Sequence, residues 1–493
     1  MTTPTALEAA DLSAEFARHA GGTGPAIVHN GRTIAYRELA DRVDALAEGL
    51  GPDPGTVAVL TSRTPETVVA LLAILAAGGT YCPVDPAFPA VRRDAMLAAA
   101  GCRSVVVTAP GQTPPPGLLA VDAAAPPPSR GGRTAPAGPG RPAYVLFTSG
   151  STGVPKPVAT PRGAIAATVA SLRDLFGVTA DDRVLQFASL NWDTCFEEIL
   201  PALTGGATLV LDDEAHTGSF PRFLRAIAER GVTVADLPTA YWHELVHHLT
   251  DYGDPLPDCL RLLIIGGEAA SPARLADWHR LETGGVRLLN TYGCTETTLI
   301  THAAELGAEV DGRVPIGHAL PHVVEEIGAD GELLIGGPAL ALGYLGLPEE
   351  TAARFAELPD GRFFRTGDRV VRAGDAGLLH MGRIDGELKI RGVRVDPAEV
   401  EALIGAHPAV AAVAAVGATV AGRTLLVAYV VASGDDPEDL PGEVLGHLRT
   451  TVPGHLVPGR LTVVGELAYT ASGKVDRAAT HRRYAREGRE ARR

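Results

Sequence analysis

Lysine is the scarcest charged residue in this 493-residue chain. It occurs at Lys156, Lys389 and Lys474 only, and the other 40 of the 43 basic residues are arginine. A general bias towards arginine explains the scarcity but not the positions that keep lysine. A compact ammonium and a planar guanidinium are not equivalent inside a binding site. The three lysines are therefore candidates for positions that need a slender point charge.

Cysteine and positive charge are also in short supply, and each shortage excludes a class of protein. The five cysteines contain no CxxC pair, so they support neither a disulfide framework nor a zinc cluster and indicate a reducing compartment. Acidic residues outnumber basic ones, 58 to 43, which argues against a nucleic-acid partner. The N-terminus lacks the apolar core of a signal peptide, and the longest apolar run, 68–77, is about half a membrane span. We expect a cytoplasmic protein without a membrane partner.

Helix-like and strand-like segments alternate through the first 380 or so residues, which favours an α/β fold with layered sheets and helices. Residues 64–79 are predicted to form a helix with Thr64 as its cap, and 80–85 a short buried strand. Strands are also predicted at 143–147, 261–265, 287–290 and 332–336. The stretch 109–142 is so rich in proline, glycine and alanine that we expect no packed element there.

The pattern changes near residue 382. A helix is predicted over 396–404, with Asp396 as its N-cap, between strand-like runs typical of a small α+β domain. The sequence thus predicts a large N-terminal α/β core over 1–381, a hinge at 382–385 and a small, mobile α+β C-terminal lid domain over 386–493.

The segment TSGSTGVPK (148–156) directly follows the predicted strand 143–147. Hydroxyls and backbone N–H groups of such a loop can surround an anion, and a lysine adds a point charge for phosphate oxygens. The spacing differs from that of the Walker A loop, which disfavours a P-loop NTPase. The predicted phosphate-binding residues are Thr148, Ser149, Gly150, Ser151, Thr152, Gly153 and Lys156.

Taken together, eight motifs resemble those of the adenylate-forming enzymes, in particular the adenylation domains of nonribosomal peptide synthesis. They follow the family's order across nearly the whole chain. The motifs are GGTYCPVD (78–85), the phosphate loop, NWDTCFEE (191–198), NTYGCTE (290–296), GELLIGGPALALGYL (331–345), FRTGD (364–368), GRIDGELKIRG (382–392) and SGKVDR (472–477).

The resemblance implies ATP and Mg²⁺ as cofactors and assigns the nucleotide site residue by residue. Asp368 resembles the carboxylate that takes both ribose hydroxyls, with Arg383 beside it. Thr295 resembles an α-phosphate contact and Glu296 the Mg²⁺ ligand, and a cation bound mainly by phosphates needs few protein carboxylates. The expected adenine-contacting set, in which Tyr292 stacks, is Gly267, Glu268, Asn290 and Tyr292.

The same resemblance gives Lys474 a catalytic role. The matching lysine bridges the substrate carboxylate and the nucleotide phosphate, two anions that repel each other as they react. Asp385 matches the family's hinge residue, and rotation there would withdraw Lys474 after adenylation. Lys156 is expected to act on phosphate oxygens, whereas Lys389 is as compatible with a structural or surface role as with a catalytic one.

The motif NWDTCFEE has Trp192 and Cys195 where the family more often has phenylalanine and serine, but it retains Asp193. The matching aspartate in the family binds the substrate's α-amino group. The remaining positions that would line the amino-acid pocket, together with Lys474, are Thr194, Glu197, Asp236, Ile264, Gly266, Thr291, Leu299 and Ile300.

Three acids in an otherwise apolar pocket indicate a substrate with a second positive group. Once Asp193 is matched to the α-ammonium, Glu197 and Asp236 would be costly buried charges unless the substrate brings a cation. The predicted substrates are lysine, ornithine, β-lysine or another diamino acid, with an arginine-like or neutral amino acid as alternatives. The alternative without a role in substrate binding is that Glu197 or Asp236 faces solvent or pairs with Arg222 or Arg225.

Two further positions depart from the family's pattern: Pro157 replaces a glycine and Cys294 a proline. We expect these changes to affect the rate of the reaction but not its type. No carrier segment follows 472–477, so the expected partner is a separate peptidyl carrier protein, loaded in trans on its phosphopantetheine thiol, with a small helper protein as a further option. The rival functions are an acyl- or aryl-CoA ligase of the same fold and a non-catalytic nucleotide-binding scaffold.

Overall fold

The computed structural model describes residues 11–128, 137–148, 155–307, 310, 312–384, 388–390, 393–420, 423–433, 439–469 and 475–490. The helices are α1 (Leu12–Ala17), α2 (Tyr36–Leu50), α3 (Pro65–Ala76), α4 (Ala90–Ala99), α5 (Arg162–Phe176), α6 (Thr194–Thr204), α7 (Phe220–Arg230), α8 (Thr239–Tyr252), α9 (Pro272–Trp278), α10 (Pro348–Arg354), α11 (Pro397–Gly405), α12 (Leu440–Thr451) and α13 (Arg477–Glu490).

Short strands make up most of the remaining regular structure. They are β1 (Pro25–His29), β2 (Arg32–Ala35), β3 (Thr56–Leu60), β4 (Thr80–Val84), β5 (Ser104–Val107), β6 (Leu119–Asp122), β7 (Pro142–Thr148), β8 (Lys156–Pro161), β9 (Arg183–Leu185), β10 (Thr208–Leu211), β11 (Val234–Pro238), β12 (Leu262–Gly266), β13 (Arg287–Gly293), β14 (Ile300–Glu305), β15 (His318–Ala319), β16 (Val324–Ile327), β17 (Glu332–Gly336), β18 (Gly343–Tyr344), β19 (Phe355–Leu358), β20 (Gly361–Arg372), β21 (Leu378–Arg383), β22 (Leu388–Ile390), β23 (Val393–Val395), β24 (Val410–Val420), β25 (Arg423–Ala432) and β26 (Arg460–Val463).

The chain divides into two compact units. The larger contains Met1–Pro86, Met96–Phe147 and Pro157–Ile384, and the smaller contains Ala87–Ala95, Thr148–Lys156 and Asp385–Arg493. The expected α/β class, with a large and a small part, is confirmed. The predicted limits of the core, hinge and lid domain stay predictions.

Three sheets build the larger unit. A nine-stranded sheet has the order β15-β14-β13-β12-β11-β9-β10-β1-β2, and a seven-stranded sheet has the order β18-β8-β7-β4-β3-β5-β6. The third has the order β16-β17-β20-β19, with β21 paired to β20. Helix α3 is apolar on nearly every side, so it is stable only when buried, and its residues from Val68 to Leu75 all lie in the main hydrophobic core.

The smaller unit has a core of its own. The sheet β24-β25-β26 carries apolar residues that pack with α11 and α12 in one cluster. Helix α11 begins where the sequence predicts, because the Asp396 carboxylate accepts a 2.8 Å hydrogen bond from the backbone N–H of Ala398.

The prediction that 109–142 contains no packed element was wrong in one place. Within it, β6 pairs with β5 in parallel, from Ser104↔Leu119 to Val107↔Asp122, and buries Val121. Four residues without glycine or proline suffice for an edge strand, which needs pairing on one side only. The other predicted strands and the helix after Thr64 are confirmed. Within the described ranges, no helix has the length and apolarity needed to cross a membrane.

Candidate functional site

Neighbouring parallel strands bring four of the predicted pocket residues onto one face of the nine-stranded sheet. Asp236 of β11 is level with Ile264 of β12, and Gly266 of β12 is level with Thr291 of β13. Because side chains alternate between faces along a strand, residues 264 and 266 share a face, and so does their partner at 291. Asp236 and Ile264 are the middle residues of their strands, and Gly266 and Thr291 lie towards the carboxyl ends, where open α/β sheets bind ligands.

Only glycine fits at position 266 without a shift of the neighbouring side chain. A Cβ atom built at this position would lie 2.5 Å from Oγ1 of Thr291, whose hydroxyl donates to the carbonyl of Ile265 at 3.0 Å. The small residue on β12 and the hydroxyl residue on β13 therefore fit each other. The apolar wall of the pocket is continuous with the main core, which includes Ile264, Leu299 and Ile300.

Helix α6 brings a second carboxyl group against Asp236. Glu197, in the first turn of α6, is buried, and its carboxyl group interacts directly with that of Asp236. Oδ2 of Asp236 has no hydrogen-bond partner among the described residues. Burial raises the pKa of Asp236 to about 7, and burial together with the neighbouring Asp236 raises the pKa of Glu197.

The alternative ion pairs for these two acids do not form. Arg222 and Arg225 lie on α7, half exposed, and both contact Glu214, at 3.7 and 3.3 Å. Both acids are buried, so neither faces solvent. The structure therefore gives the pair neither solvent nor an arginine of α7.

Glu198 is a third buried acid in this region, and the sequence analysis did not assign it. Its Oε1 accepts from the backbone N–H groups of Phe187 and Ala188, at 2.9 and 2.8 Å, and its Oε2 from Gln186 at 3.1 Å. Burial, with a contribution from Asp236, raises its pKa to about 8. The two consecutive glutamates in NWDTCFEE were the signal for it. On a helix, neighbouring side chains point in different directions, so Glu197 and Glu198 cannot both face the same site.

Asp193 precedes α6 and faces the turn after β13. Its carboxylate interacts with Thr295 and with the backbone of Thr194, and both lower its pKa, although the side chain makes no capping hydrogen bond to the helix. Burial and the charge of Glu296 nevertheless raise its pKa to about 6. The residue predicted to bind the α-amino group is thus next to the predicted phosphate contact Thr295.

The turn after β13 is conformationally strained. Thr298 and Leu299 have φ values of 57° and 65°, a region that side chains other than glycine rarely adopt and that is common at functional sites. Gly293 makes the turn possible, because a Cβ atom there would lie 1.7 Å from the carbonyl oxygen of Leu299. Glu296 and the pocket residues Leu299 and Ile300 therefore belong to one short, strained segment.

Glu296 is buried and receives a 2.8 Å hydrogen bond from the hydroxyl of Tyr344, a residue that the sequence analysis did not single out. Within the parts of the chain that the structure covers, no three His, Cys, Asp or Glu side chains form a metal-binding group. A single carboxylate suits Mg²⁺, which binds proteins through one or two carboxylates plus phosphates and water.

Asp368 lies in the middle of β20 and is fully buried. Its Oδ2 accepts a 2.6 Å hydrogen bond from the hydroxyl of Tyr292, and its Oδ1 is contacted by His380 at 3.0 Å and by Arg383 at 3.1 Å. Arg383 is its direct partner in the neighbouring strand β21. The structure therefore brings together three residues predicted for the nucleotide site and adds His380.

The rest of the expected adenine set lies just after β12, at Gly267 and Glu268, and in the middle of β13, at Asn290. Gly267 has a φ of 86°, and the following Glu268 accepts a 3.3 Å hydrogen bond at its carbonyl from the hydroxyl of Thr239. Asn290, buried on the sheet face opposite to Thr291, donates to the carbonyl of Pro315 at 2.8 Å. Its side chain is thereby fixed by backbone outside the strand.

The predicted phosphate loop and lid residues are only partly described. Ser149, Gly150, Ser151, Thr152, Gly153, Asp385 and Lys474 lie outside the described residues. Thr148 is the buried last residue of β7, and Lys156 is the first residue of β8. Lys389 lies on β22.

Two family profiles match the chain. The "AMP-binding enzyme" family matches residues 14–345, and the "AMP-binding enzyme C-terminal domain" family matches residues 399–474. The solved structure of NpsA-ThdA, an artificially fused adenylation-PCP di-domain NRPS from Klebsiella oxytoca, is similar with a TM-score of 0.81 and 25% sequence identity. The similarity covers 93% of this chain and 94% of that one.

Two curated relatives are similar along nearly the whole chain. The isonitrile lipopeptide synthase of Streptomyces coeruleorubidus is 41% identical over 491 residues, which cover 95% of this chain but 33% of the relative. The novobiocin biosynthesis protein H of Streptomyces niveus is 36% identical over 92% of this chain and 79% of its own length. The chain therefore spans about a third of one relative and most of the other. It belongs to the AMP-binding enzyme family as an adenylation domain, and is thus an ATP-dependent adenylating ligase.

Proposed function

We propose that this enzyme activates a basic diamino acid of the lysine, ornithine or β-lysine type. An oxygen of the amino-acid carboxylate attacks the α-phosphorus of ATP, the bond to the β-phosphate oxygen breaks, and pyrophosphate leaves. The aminoacyl adenylate then passes its acyl group to the phosphopantetheine thiol of a carrier protein, with AMP as the leaving group.

The buried pair Glu197 and Asp236 is the observation that carries the choice of substrate. Two buried carboxyl groups that share a proton bear one negative charge when Asp236 is ionised. An ammonium group at the end of a substrate side chain would neutralise that charge and replace the shared proton as the link between the acids. A neutral side chain would leave the pair without a partner, which is costly.

Asp193 supports binding of the other end of the same substrate. Its carboxylate interacts with Thr295 and with the backbone of Thr194, and it can pair with the α-ammonium group. The proposed site thus offers two separate anionic positions, at Asp193 and at the Glu197 and Asp236 pair. Two positions suit two ammonium groups, because each buried charge then has a partner.

The described residues fit ATP and Mg²⁺. Asp368 would take the ribose hydroxyls, Tyr292 would flank the adenine and Thr295 would contact the α-phosphate. Glu296 would hold Mg²⁺, which when bound neutralises charge on the phosphates as the α-phosphorus is attacked. By family resemblance, Lys156 and Lys474 would add their charges to the phosphates and to the substrate carboxylate, with Asp385 as the hinge between the two reactions.

Amino-acid-dependent exchange of pyrophosphate into ATP tests the proposal. The panel contains lysine, ornithine and β-lysine, with arginine, glutamate and norleucine as comparisons. Norleucine is the matched control because it has the length of lysine without the ammonium group. We expect a kcat/KM for the best diamino acid at least about a hundredfold above that for norleucine, the effect of losing one partner of a buried charge pair.

The variant Glu197→Gln assigns the preference to the acid pair. It should reduce kcat/KM for the diamino acid far more than for norleucine, whereas Glu214→Gln, an equal change at a half-exposed glutamate before α7, should leave both unchanged. Equal losses with both substrates in Glu197→Gln would contradict the ion pair. Preference for glutamate or norleucine would refute the substrate class, and no exchange with any amino acid would favour the scaffold alternative.

The acyl acceptor needs a second assay. Coenzyme A and a phosphopantetheinylated carrier protein are offered to the preformed aminoacyl adenylate, and thioester formation is followed by mass spectrometry. Faster loading of the carrier, supplied as a separate chain, would support the predicted partner in trans. Faster reaction with coenzyme A would instead favour a CoA ligase of this fold.

A further inference from the structure

His380 is a histidine at the nucleotide site to which neither the sequence motifs nor the proposed reaction assigns a task. It lies on β21, and its Nε2 is 3.0 Å from Oδ1 of Asp368. The side chain of Asp368 is 0% exposed and that of Arg383 is 8% exposed, whereas that of His380 is 27% exposed. Among these three groups, His380 is therefore the one on the solvent side of the carboxylate.

The carboxylate of Asp368 is fixed from several directions. Tyr292 donates to Oδ2, Arg383 donates to Oδ1 from the adjacent strand position, and His380 contacts the same Oδ1 from a position three residues before Arg383 on β21, where Val370 is its partner. A carboxylate has about four acceptor positions. An incoming ribose diol brings two more donors, so at least one protein donor must yield or share its position.

We propose that His380 is a positioning residue for the ribose subsite. It orients the Asp368 carboxylate before the nucleotide binds, and it is the donor that gives way to, or shares Oδ1 with, a ribose hydroxyl. The buried Tyr292 and Arg383 keep the carboxylate in place during this exchange. The inference rests on the proposed role of Asp368 as the ribose ligand and is independent of which amino acid is activated.

The position of the His380 ring explains why this residue, and no other histidine near Tyr292, would exchange its hydrogen bond with a ribose hydroxyl. The ring of His380 lies 6.3 Å from that of Tyr292, centroid to centroid, so it faces both the carboxylate and the residue expected to flank the adenine. The ring of His302 also packs against Tyr292, edge-on at 5.8 Å, and is anchored to Glu325 by a 2.7 Å contact. His302 is fully buried and cannot be reached from the solvent side, which leaves His380 as the histidine next to an entering ribose.

Two substitutions at His380 separate hydrogen bonding from packing. His380→Phe keeps a ring and removes the donor, and we expect the Kd of ATP to rise about five- to tenfold, because the Asp368 carboxylate is no longer oriented before the nucleotide binds. His380→Gln keeps an N–H donor at nearly the same reach and should stay within about threefold of the natural enzyme. His318→Gln is the control, because His318 contacts only the carbonyl of Asp375 in the described structure.

The readout is binding of ATP and of 2′-deoxy-ATP by isothermal titration calorimetry, which requires no amino acid. In the natural enzyme, ATP should bind more tightly than 2′-deoxy-ATP, because Asp368 can accept from the 2′-hydroxyl. In His380→Phe that preference should shrink, and in pyrophosphate exchange KM for ATP should rise while KM for the amino acid stays unchanged. A purely structural role would alter both KM values or leave the preference between the nucleotides intact.

Asp368→Asn distinguishes the two possible failures. If Asp368→Asn keeps the full preference for ATP, then the ribose assignment of Asp368 is wrong. If Asp368→Asn loses the preference but His380→Phe binds both nucleotides like the natural enzyme, then the role proposed for His380 is refuted. A loss of ATP binding in His380→Gln equal to that in His380→Phe also refutes it, because the donor would then be irrelevant.

Discussion

The hydroxyl of Tyr344 donates a 2.8 Å hydrogen bond to Oε1 of Glu296, which links β18 to the turn that follows β13. If Glu296 is the Mg²⁺ ligand, then Tyr344 orients a metal-binding carboxylate and should influence the affinity for the metal. Tyr344→Phe removes the donor and leaves the ring packed against Phe355, with the centroids 6.1 Å apart.

We predict that Tyr344→Phe raises the Mg²⁺ concentration at half-maximal activity about three- to tenfold, because outer partners of metal ligands tune affinity by such factors or more. The measurement is a Mg²⁺ titration of pyrophosphate exchange at saturating ATP. An unchanged Mg²⁺ requirement would show that Tyr344 does not act on the metal through Glu296.

The pKa of Asp193, about 6, predicts a pH dependence for amino-acid binding. Protonation below that pH removes the negative charge that pairs with the α-ammonium. KM for the amino acid should therefore rise as pH falls below about 6, by up to about tenfold per pH unit. KM is measured between pH 5 and pH 8 in the natural enzyme and in Asp193→Asn, whose high KM should vary less across this range.

The acid pair predicts that the free energy of unfolding of the substrate-free enzyme falls as pH rises. In the folded state the pKa of Asp236 is about 7, raised from an unfolded value of 3.8, so the folded protein binds more protons between these limits. The contribution of Asp236 to stability is therefore greatest below about pH 4. Between about pH 4 and pH 7 it declines by on the order of 1 kcal/mol per pH unit.

Urea unfolding from pH 5 to pH 8 tests this dependence. Asp236→Asn should reduce the slope by on the order of 1 kcal/mol per pH unit, leaving the contributions of Asp193 and Glu198, whereas Asp258→Asn, at an exposed loop position, should leave the slope unchanged. The same slope in Asp236→Asn and in the natural enzyme would mean that the pair carries no shared proton.

Gly266 predicts a steric limit on the substrate. A methyl group at this position would collide with Oγ1 of Thr291, so Gly266→Ala should reduce kcat/KM for lysine by about tenfold or more. The double variant Gly266→Ala, Thr291→Ala removes the colliding hydroxyl and should recover part of the loss. No loss in the single variant would place Gly266 outside the pocket wall.

Lys474→Arg is predicted not to restore adenylation. The family role requires a slender ammonium between the carboxylate and the phosphate, where a planar guanidinium would be too bulky. Single-turnover formation of the adenylate should fall by a similar factor in Lys474→Arg and Lys474→Ala. Activity near that of the natural enzyme in Lys474→Arg would contradict this role.

The regular elements could be read from the sequence because each has a local signal. Asp396 and Pro397 mark the start of α11, and the apolar run of α3 has helical length. Strand β6 was missed because its four residues lie in a stretch dominated by proline and glycine, and its stability comes from pairing with β5. Such tertiary pairing leaves no trace in local composition.

The site was predictable only where a motif names the residue. The face shared by Asp236, Ile264 and Thr291 follows from strand alternation once the register is known, but registers between strands are not local information. His380 and Glu198 were missed for the same reason. Each gains its significance from a partner on a neighbouring element, Asp368 for the one and the backbone of Phe187 and Ala188 for the other.

The pairing of Glu197 on α6 with Asp236 on β11 bears on how substrate choice can change during evolution. An ancestor with a neutral pocket that acquired only one of these acids would still fold, because a single buried carboxyl can remain protonated and uncharged. The second acid then lets the two hold one charge between them, and selectivity for a cation emerges only from the combination. Substitutions at Glu197 and Asp236 should therefore be epistatic. Replacing both acids by neutral residues should reduce stability less than it reduces selectivity for a cationic substrate.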